Sequence, residues 1–139
     1  MRVYVDMVGD LFHYGHVEFL RRARLLGDHL VVGVHSDETV ALYKRPPVQT
    51  MEERMRVIEA CRYVDEVVGD APLTVSRDWL SALSIDFVAH GNDFDTDAAR
   101  RFYAYPMEAG MYRVVAYTPG VSTSDLIERI RHRLIVGDL

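Results

Sequence analysis

Cysteine is almost absent from these 139 residues: Cys61 stands alone, which excludes an intrachain disulfide. Long apolar runs are missing as well. Although 49% of the residues are hydrophobic, no run approaches the length of a membrane helix, so no membrane span or membrane partner is expected. The opening Met1-Arg2-Val3-Tyr4-Val5-Asp6 goes directly into a strand pattern, without the charged n-region, apolar h-region and cleavage site of a signal peptide, and a cytoplasmic location is expected. Basic tracts are lacking too. A net charge of −5 argues against sequence-independent nucleic-acid binding, because nothing would replace counterions on a phosphate backbone. Lysine is the scarcest cation: of 16 basic residues 15 are Arg, so Lys44 is conspicuous, and the Arg bias hints at a GC-rich genome. No repeat, low-complexity segment or linker interrupts the chain, and its length suits one domain with a full core.

What the chain does have is alternation. Strand-like runs at Val3 to Asp6, Leu30 to His35, Val64 to Val68, Phe87 to His90 and Arg113 to Tyr117 are interleaved with helical patterns. The helices are expected over Val17 to Leu26, Met51 to Cys61, Ser76 to Ser84, Thr96 to Ala109 and Thr123 to Leu134. Strands alternating with helices on this scale predict βαβ units and a five-stranded parallel sheet, an α/β fold. Gly27 and Gly110 sit where helices should stop, and Thr50-Met51-Glu52-Glu53 reads as a capping box.

In such sheets ligands bind beyond the carboxyl ends of the strands, so the loops after each strand matter most. The first holds Asp10 and His13-Tyr14-Gly15-His16 at a strand-to-helix turn. There Gly15 lets a ligand approach the backbone, the helix N-terminus favours an anion, and two imidazoles can donate to one oxyanion. The second, Tyr43-Lys44-Arg45-Pro46-Pro47, puts the only Lys beside an Arg on a proline-stiffened segment, ahead of a helix bearing Arg54. Val40 to Tyr43 shows no strong helix or strand pattern. The third is His90-Gly91-Asn92-Asp93, and the fourth runs from Thr118-Pro119-Gly120 through Ser122-Thr123-Ser124-Asp125 into the last helix. Taken singly, each has a plain structural explanation as a turn, a cap or a solvated loop. Together, imidazoles, cations, hydroxyls and helix N–H groups form the set that holds a polyphosphate and neutralises charge in phosphoryl or nucleotidyl transfer.

These motifs, in this order from Val3 to about Ile130, resemble the cytidylyltransferase family of the HxGH nucleotidyltransferases. HYGH at 13–16, Pro46-Pro47-Val48, Tyr63-Val64-Asp65-Glu66, HGND at 90–93 and Gly120-Val121-Ser122-Thr123-Ser124-Asp125-Leu126 are similar to the catalytic repeat of ethanolamine-phosphate cytidylyltransferases. The resemblance implies a single Rossmann-like, three-layer domain over residues 1–139, which the family also allows as part of a longer chain. It implies transfer of CMP from CTP, with Mg²⁺, to a phosphate or phosphonate oxygen, releasing pyrophosphate. By the same resemblance His13, His16 and Lys44 are catalytic, Lys44 with help from Arg45. Val8, Gly9, Asp10, Gly15, His16, Gly91, Asp93, Gly120, Ser122 and Thr123 contact the nucleotide. Asp10, Lys44, Arg54 and Tyr117 contact the acceptor. Arg62 and Tyr63 to Glu66 resemble the segment at the family's dimer interface, implying a homodimer. Metal ligands stay unassigned.

Two departures stand out. Met7, Val8 and Gly9 replace a Gly, a small residue and an aromatic, and Tyr117 replaces an Arg whose fixed charge and forked donors a phenol cannot supply. Arg113 and Arg45 are the candidate substitutes. The single domain and Arg-rich composition favour a bacterial acceptor, 2-hydroxyethylphosphonate as in fosfomycin biosynthesis, over phosphoethanolamine or glycerol-3-phosphate. Alternatives are an ATP-using enzyme of the same superfamily and a catalytically impaired CTP-binding regulatory domain.

Overall fold

Valine, leucine and tyrosine runs with buried side chains on both faces are what a parallel sheet covered by helices demands. In a computed structural model, which describes residues 1–92 and 96–139, five such runs form one sheet of order β3-β2-β1-β4-β5, every pair parallel. The strands are β1 (Arg2–Met7), β2 (His29–Val34), β3 (Glu66–Val68), β4 (Phe87–Gly91) and β5 (Tyr112–Val115). The helices are α1 (Tyr14–Arg24), α2 (Asp37–Ala41), α3 (Met51–Glu59), α4 (Arg77–Ala82), α5 (Thr96–Phe102), α6 (Ala104–Glu108) and α7 (Thr123–Ile135). Side chains alternate across β1: Val3 and Val5 join Leu20, Ala23 and Ile58 under α1 and α3, whereas Tyr4 joins Val75, Leu80 and Tyr103 on the other face. Two cores flanking one sheet make the expected three layers. Among the described residues no helix is long and apolar enough to cross a membrane.

The element boundaries fall within about two residues of expectation at most ends, with two larger differences. Where no strong pattern is expected around Val40, α2 forms, capped by the Ser36 hydroxyl, which accepts from Thr39 N–H at 3.0 Å, and anchored by buried Val40. Five residues are too few to display a helical period. The expected helix from Thr96 to Ala109 is two helices, broken at Tyr103 (φ −116°, ψ 24°). Pro106 explains the break, since a helical proline clashes with the carbonyl four residues earlier. That carbonyl, on Phe102, instead accepts from Val75 N–H at 2.9 Å.

Gly110 follows α6 with φ +72°, the left-handed stop expected of it. Gly27 serves a different need: a Cβ there would lie 2.3 Å from the Met1 carbonyl oxygen. The Thr50 capping box is present as read.

Candidate active site

Strand order reverses at β1: the chain runs outward through β2 and β3, then returns to place β4 on the opposite side. This switch point opens a crevice beyond the strand ends. A cleft of about 530 Å³ lies there, lined by Val8, Gly9, Asp10, His13, Gly15 and His16 from the loop after β1. Lys44 and Arg45, Gly91, Tyr117, Ser122 and Thr123 line it from the other loops. Most expected site residues are thus brought together. Gly120 is not among the lining residues; it shapes the turn behind them, with φ +87°. Asp93 lies outside the described residues.

The histidine turn builds itself from local chemistry. His13 is the N-cap of α1, its Nδ1 accepting from Gly15 N–H at 3.1 Å, and His16 Nδ1 accepts from His13 N–H at 3.0 Å. Two imidazoles here do what Ser and Glu do in an ordinary capping box. With both Nδ1 atoms accepting, the hydrogen-bond network assigns the proton of each neutral ring to Nε2. Burial, reinforced by the neighbouring His13, pushes His16 down to about 3, and burial lowers His13 too. Both shifts favour the uncharged rings at neutral pH, and in these each Nε2 is a donor. Gly15 has no room for a side chain, since a Cβ would lie 2.9 Å from both His13 Cε1 and Val121 Cγ1.

Behind this turn, Asp10 ties the loop after β1 to the Lys44 loop. It is 5% exposed, and its two carboxylate oxygens accept from Val48 N–H at 2.9 Å and Gln49 N–H at 3.0 Å. Gln49 returns the tie by accepting from Leu11 N–H at 2.8 Å. Arg54 requires a correction. Expected at the acceptor, it is fully buried and absent from the cleft wall; its guanidinium donates to the Val8 and Gln49 carbonyls at 2.7 and 3.1 Å and to Asp37 at 2.6 Å. A forked cation can pin three chain segments at once, so Arg54 is a positioning residue for the cleft wall.

At the far end Ser122 caps α7, accepting from Asp125 N–H at 3.0 Å, and the Thr123 hydroxyl donates to the Asp10 carbonyl at 2.8 Å. Tyr117 lines the cleft and braces the turn, its hydroxyl donating to the Val121 carbonyl at 3.0 Å. Of the two cations offered as substitutes for the replaced Arg, Arg113 lies over the Phe87 ring at 4.6 Å and donates to the Gly110 carbonyl. Arg45 has two guanidinium nitrogens 3.4 Å from Ser124 Oγ, at the start of α7. Of the two, Arg45 lines the cleft and Arg113 does not. Among the described residues no three His, Cys, Asp or Glu side chains gather as metal ligands.

The remaining end of the cleft escaped sequence reading. Asp6, His35, Tyr43, Phe102 and Tyr103 line it. The Asp6 side chain is 1% exposed; the Tyr103 hydroxyl donates to its Oδ1 at 2.5 Å, while its Oδ2 has no hydrogen-bond partner among the described residues. Burial, and after it the charge on Asp6, raises the phenols around it, Tyr43 to about 12 and Tyr103 well above its usual value. The signal available in the sequence was a carboxylate inside an apolar strand, a placement that costs several kcal/mol, on the order of 5, unless something compensates it.

Comparison with known proteins accords with this architecture. The profile of the Cytidylyltransferase-like family matches residues 9–129. The chain is 46% identical over 131 residues to mouse (Mus musculus) ethanolamine-phosphate cytidylyltransferase, covering 94% of this chain and 32% of that protein. It is 42% identical over 133 residues to human (Homo sapiens) choline-phosphate cytidylyltransferase A, covering 94% of this chain and 36% of that protein. It thus spans about a third of these relatives. A lipopolysaccharide core biosynthesis protein of Thermoplasma volcanium GSS1 shares the fold, with a TM-score of 0.71, 23% identity and coverage of 87% of this chain and 98% of that one. The gathered loops and the match across nearly the whole chain lead to one assignment: the chain belongs to the cytidylyltransferase-like family.

Proposed function

We propose that this protein transfers CMP from CTP to a phosphate oxygen of a small phosphomonoester carrying a primary ammonium, phosphoethanolamine foremost, and releases pyrophosphate. The observation that carries the acceptor is the buried Asp6 carboxylate, whose Oδ2 has no hydrogen-bond partner among the described residues, on the cleft wall beside Tyr43 and Tyr103. A buried carboxylate with one oxygen left without a donor among the described residues favours a cation, and a hydroxyl-terminated acceptor such as 2-hydroxyethylphosphonate brings none. The names of the similar proteins support an acceptor bearing an ammonium group, primary in the ethanolamine-phosphate enzyme and quaternary in the choline-phosphate enzyme. The preference for the phosphonate therefore gives way; composition said nothing about what the cleft would hold.

The chemistry follows from charge. An acceptor phosphate oxygen attacks the α-phosphorus of CTP, forming a P–O bond, as the bond to the β-phosphoryl oxygen breaks and pyrophosphate leaves with the electron pair. The nucleophile is ionised at neutral pH, so no base is needed, and catalysis is positioning plus neutralisation. The Nε2–H donors of His13 and His16 face charge building on the α-phosphoryl oxygens. Lys44 and Arg45 neutralise the phosphates, and the N-terminus of α7 with Ser122 and Thr123 holds their far end. Mg²⁺ would be carried mainly by the triphosphate, as that ion commonly is, and would add further charge neutralisation. Asp93 serves cytidine recognition. The homodimer contact is assigned to the hollow beside Tyr63, lined by Phe12, Val17, Val57 and Cys61; a monomer in sedimentation at micromolar concentration would reject it.

The test is a panel of kcat/KM values for phosphoethanolamine, 2-hydroxyethylphosphonate, glycerol-3-phosphate and phosphocholine with CTP and Mg²⁺, repeated with ATP. Phosphoethanolamine should lead with CTP. A lead for 2-hydroxyethylphosphonate would restore the phosphonate, faster turnover with ATP would reassign the nucleotide, and no pyrophosphate release with any acceptor would leave a CTP-binding regulatory domain.

A further inference from the structure

His35 follows β2 and is 4% exposed, yet it also lines the cleft. Its Nδ1 lies 3.0 Å from the Ala71 carbonyl oxygen, a contact that requires a proton on Nδ1. In the neutral ring Nε2 then carries a lone pair. That nitrogen lies 3.6 Å from Asp6 Oδ2, the carboxylate oxygen with no hydrogen-bond partner among the described residues. The two atoms face each other across one end of the cleft, and no hydrogen bond from a described residue reaches Asp6 Oδ2. The other carboxylate oxygen is already occupied by the Tyr103 hydroxyl, and the Tyr43 ring meets His35 edge-on at 6.4 Å.

We infer that His35 selects a primary ammonium over a quaternary one, with Nε2 as the second hydrogen-bond acceptor beside Asp6. The inference rests on the acceptor reading above. One ammonium nitrogen about 2.8 Å from each of two atoms spaced this way can donate to both at once. A trimethylammonium group has no N–H. Its methyl groups would be pressed against two lone pairs, leaving both buried acceptors unsatisfied, and a site built to receive N–H donors rejects strongly a ligand that lacks them. The carboxylate alone would attract any cation; His35 adds the demand for a donor.

The experiment measures kcat/KM for phosphoethanolamine and phosphocholine, at saturating CTP and Mg²⁺, in the whole chain and two variants. In His35→Asn the amide can still donate to the Ala71 carbonyl but nothing reaches the Nε2 position. In His35→Gln an amide oxygen reaches it. CTP binding by calorimetry reports that each variant is folded. The ratio of phosphoethanolamine to phosphocholine should fall roughly 10- to 100-fold in His35→Asn, mainly through KM, and recover in His35→Gln. An unchanged ratio in His35→Asn, or a Gln variant no better than the Asn variant, would overturn the role of His35. A rise in the ratio would also overturn it, showing that His35 disfavours the primary ammonium. A wild-type protein that uses phosphocholine as well as phosphoethanolamine would sink the acceptor reading itself, whereas wild-type discrimination that His35→Asn leaves intact sinks His35 alone.

Discussion

His13 and His16 lie with ring centroids 3.9 Å apart, each using Nδ1 to accept a backbone N–H of the helical turn they open. The rings that cap α1 through Nδ1 are therefore the same rings whose Nε2–H groups are proposed to act in catalysis. The capping bonds orient the rings and fix the tautomer before any substrate arrives, and burial, joined at His16 by the neighbouring His13, favours the uncharged rings. Donors held this rigidly need no reorganisation when charge develops at phosphorus, which is where such groups lower a barrier most.

Replacing His16 with Ala should lower kcat about 100- to 1000-fold while CTP affinity changes far less, because the lost donor acts on charge present mainly in the transition state. The same change removes half of a capping box and should cost about 1 kcal/mol of stability. Steady-state kinetics, calorimetric CTP titration and urea unfolding separate the three effects. A variant keeping more than half of wild-type turnover would remove His16 from catalysis.

The pH dependence of stability should carry the signature of a buried neutral imidazole. His16 falls from an ordinary 6.5 to about 3 in the fold, so between those values the unfolded chain holds a proton that the folded chain does not. Stability then rises with pH across this window: the contribution is fully present above 6.5 and is lost as pH falls toward 3. Urea midpoints measured from pH 4 to 7 should drop less steeply toward acid in His16→Asn than in the wild type. Parallel curves would contradict the buried neutral ring.

Arg54→Leu should destabilise the protein by roughly 2 to 5 kcal/mol, since the Val8 and Gln49 carbonyls lose their donor in a buried site. Because Arg54 is absent from the cleft wall, activity should fall on every acceptor alike, without change of rank order. Urea unfolding and the four-acceptor panel test both halves. An altered ranking would return Arg54 to the acceptor.

Lys44 sits on a segment anchored at one end by Asp10 through Val48 and Gln49 and at the other by α2. Lys44→Ala should cut turnover sharply. Proteolysis near Lys44 should slow when CTP is added and quicken in Asp10→Asn, which weakens charge-assisted bonds worth about 1.5 to 3 kcal/mol each. Equal cleavage rates with and without CTP would show that the segment does not close over the nucleotide.

How much of this was legible in the residue order depends on the range of the forces involved. Strand and helix alternation, the Thr50 capping box and the His13-to-His16 turn are set within a few residues by periodicity and capping, and sequence alone determined them. So did the gathering of chemically unusual loops at one sheet edge, because parallel strands put every such loop on the same side. The end of the cleft around Asp6 is another matter. Asp6, His35 and Tyr103 come from β1, the end of β2 and the break between α5 and α6, and they meet only because strand order places β1 beside β2 and Pro106 turns the chain at Tyr103. Arg54 teaches the same lesson in reverse. An Arg on a helix beside phosphate-binding loops reads as a ligand contact, and its burial depends on carbonyls from Val8 and Gln49 and a carboxylate from Asp37 arriving together. Local order specifies which groups exist and which backbone turn holds them. Only tertiary packing decides which of those groups already has a partner, and so which is left to bind a ligand.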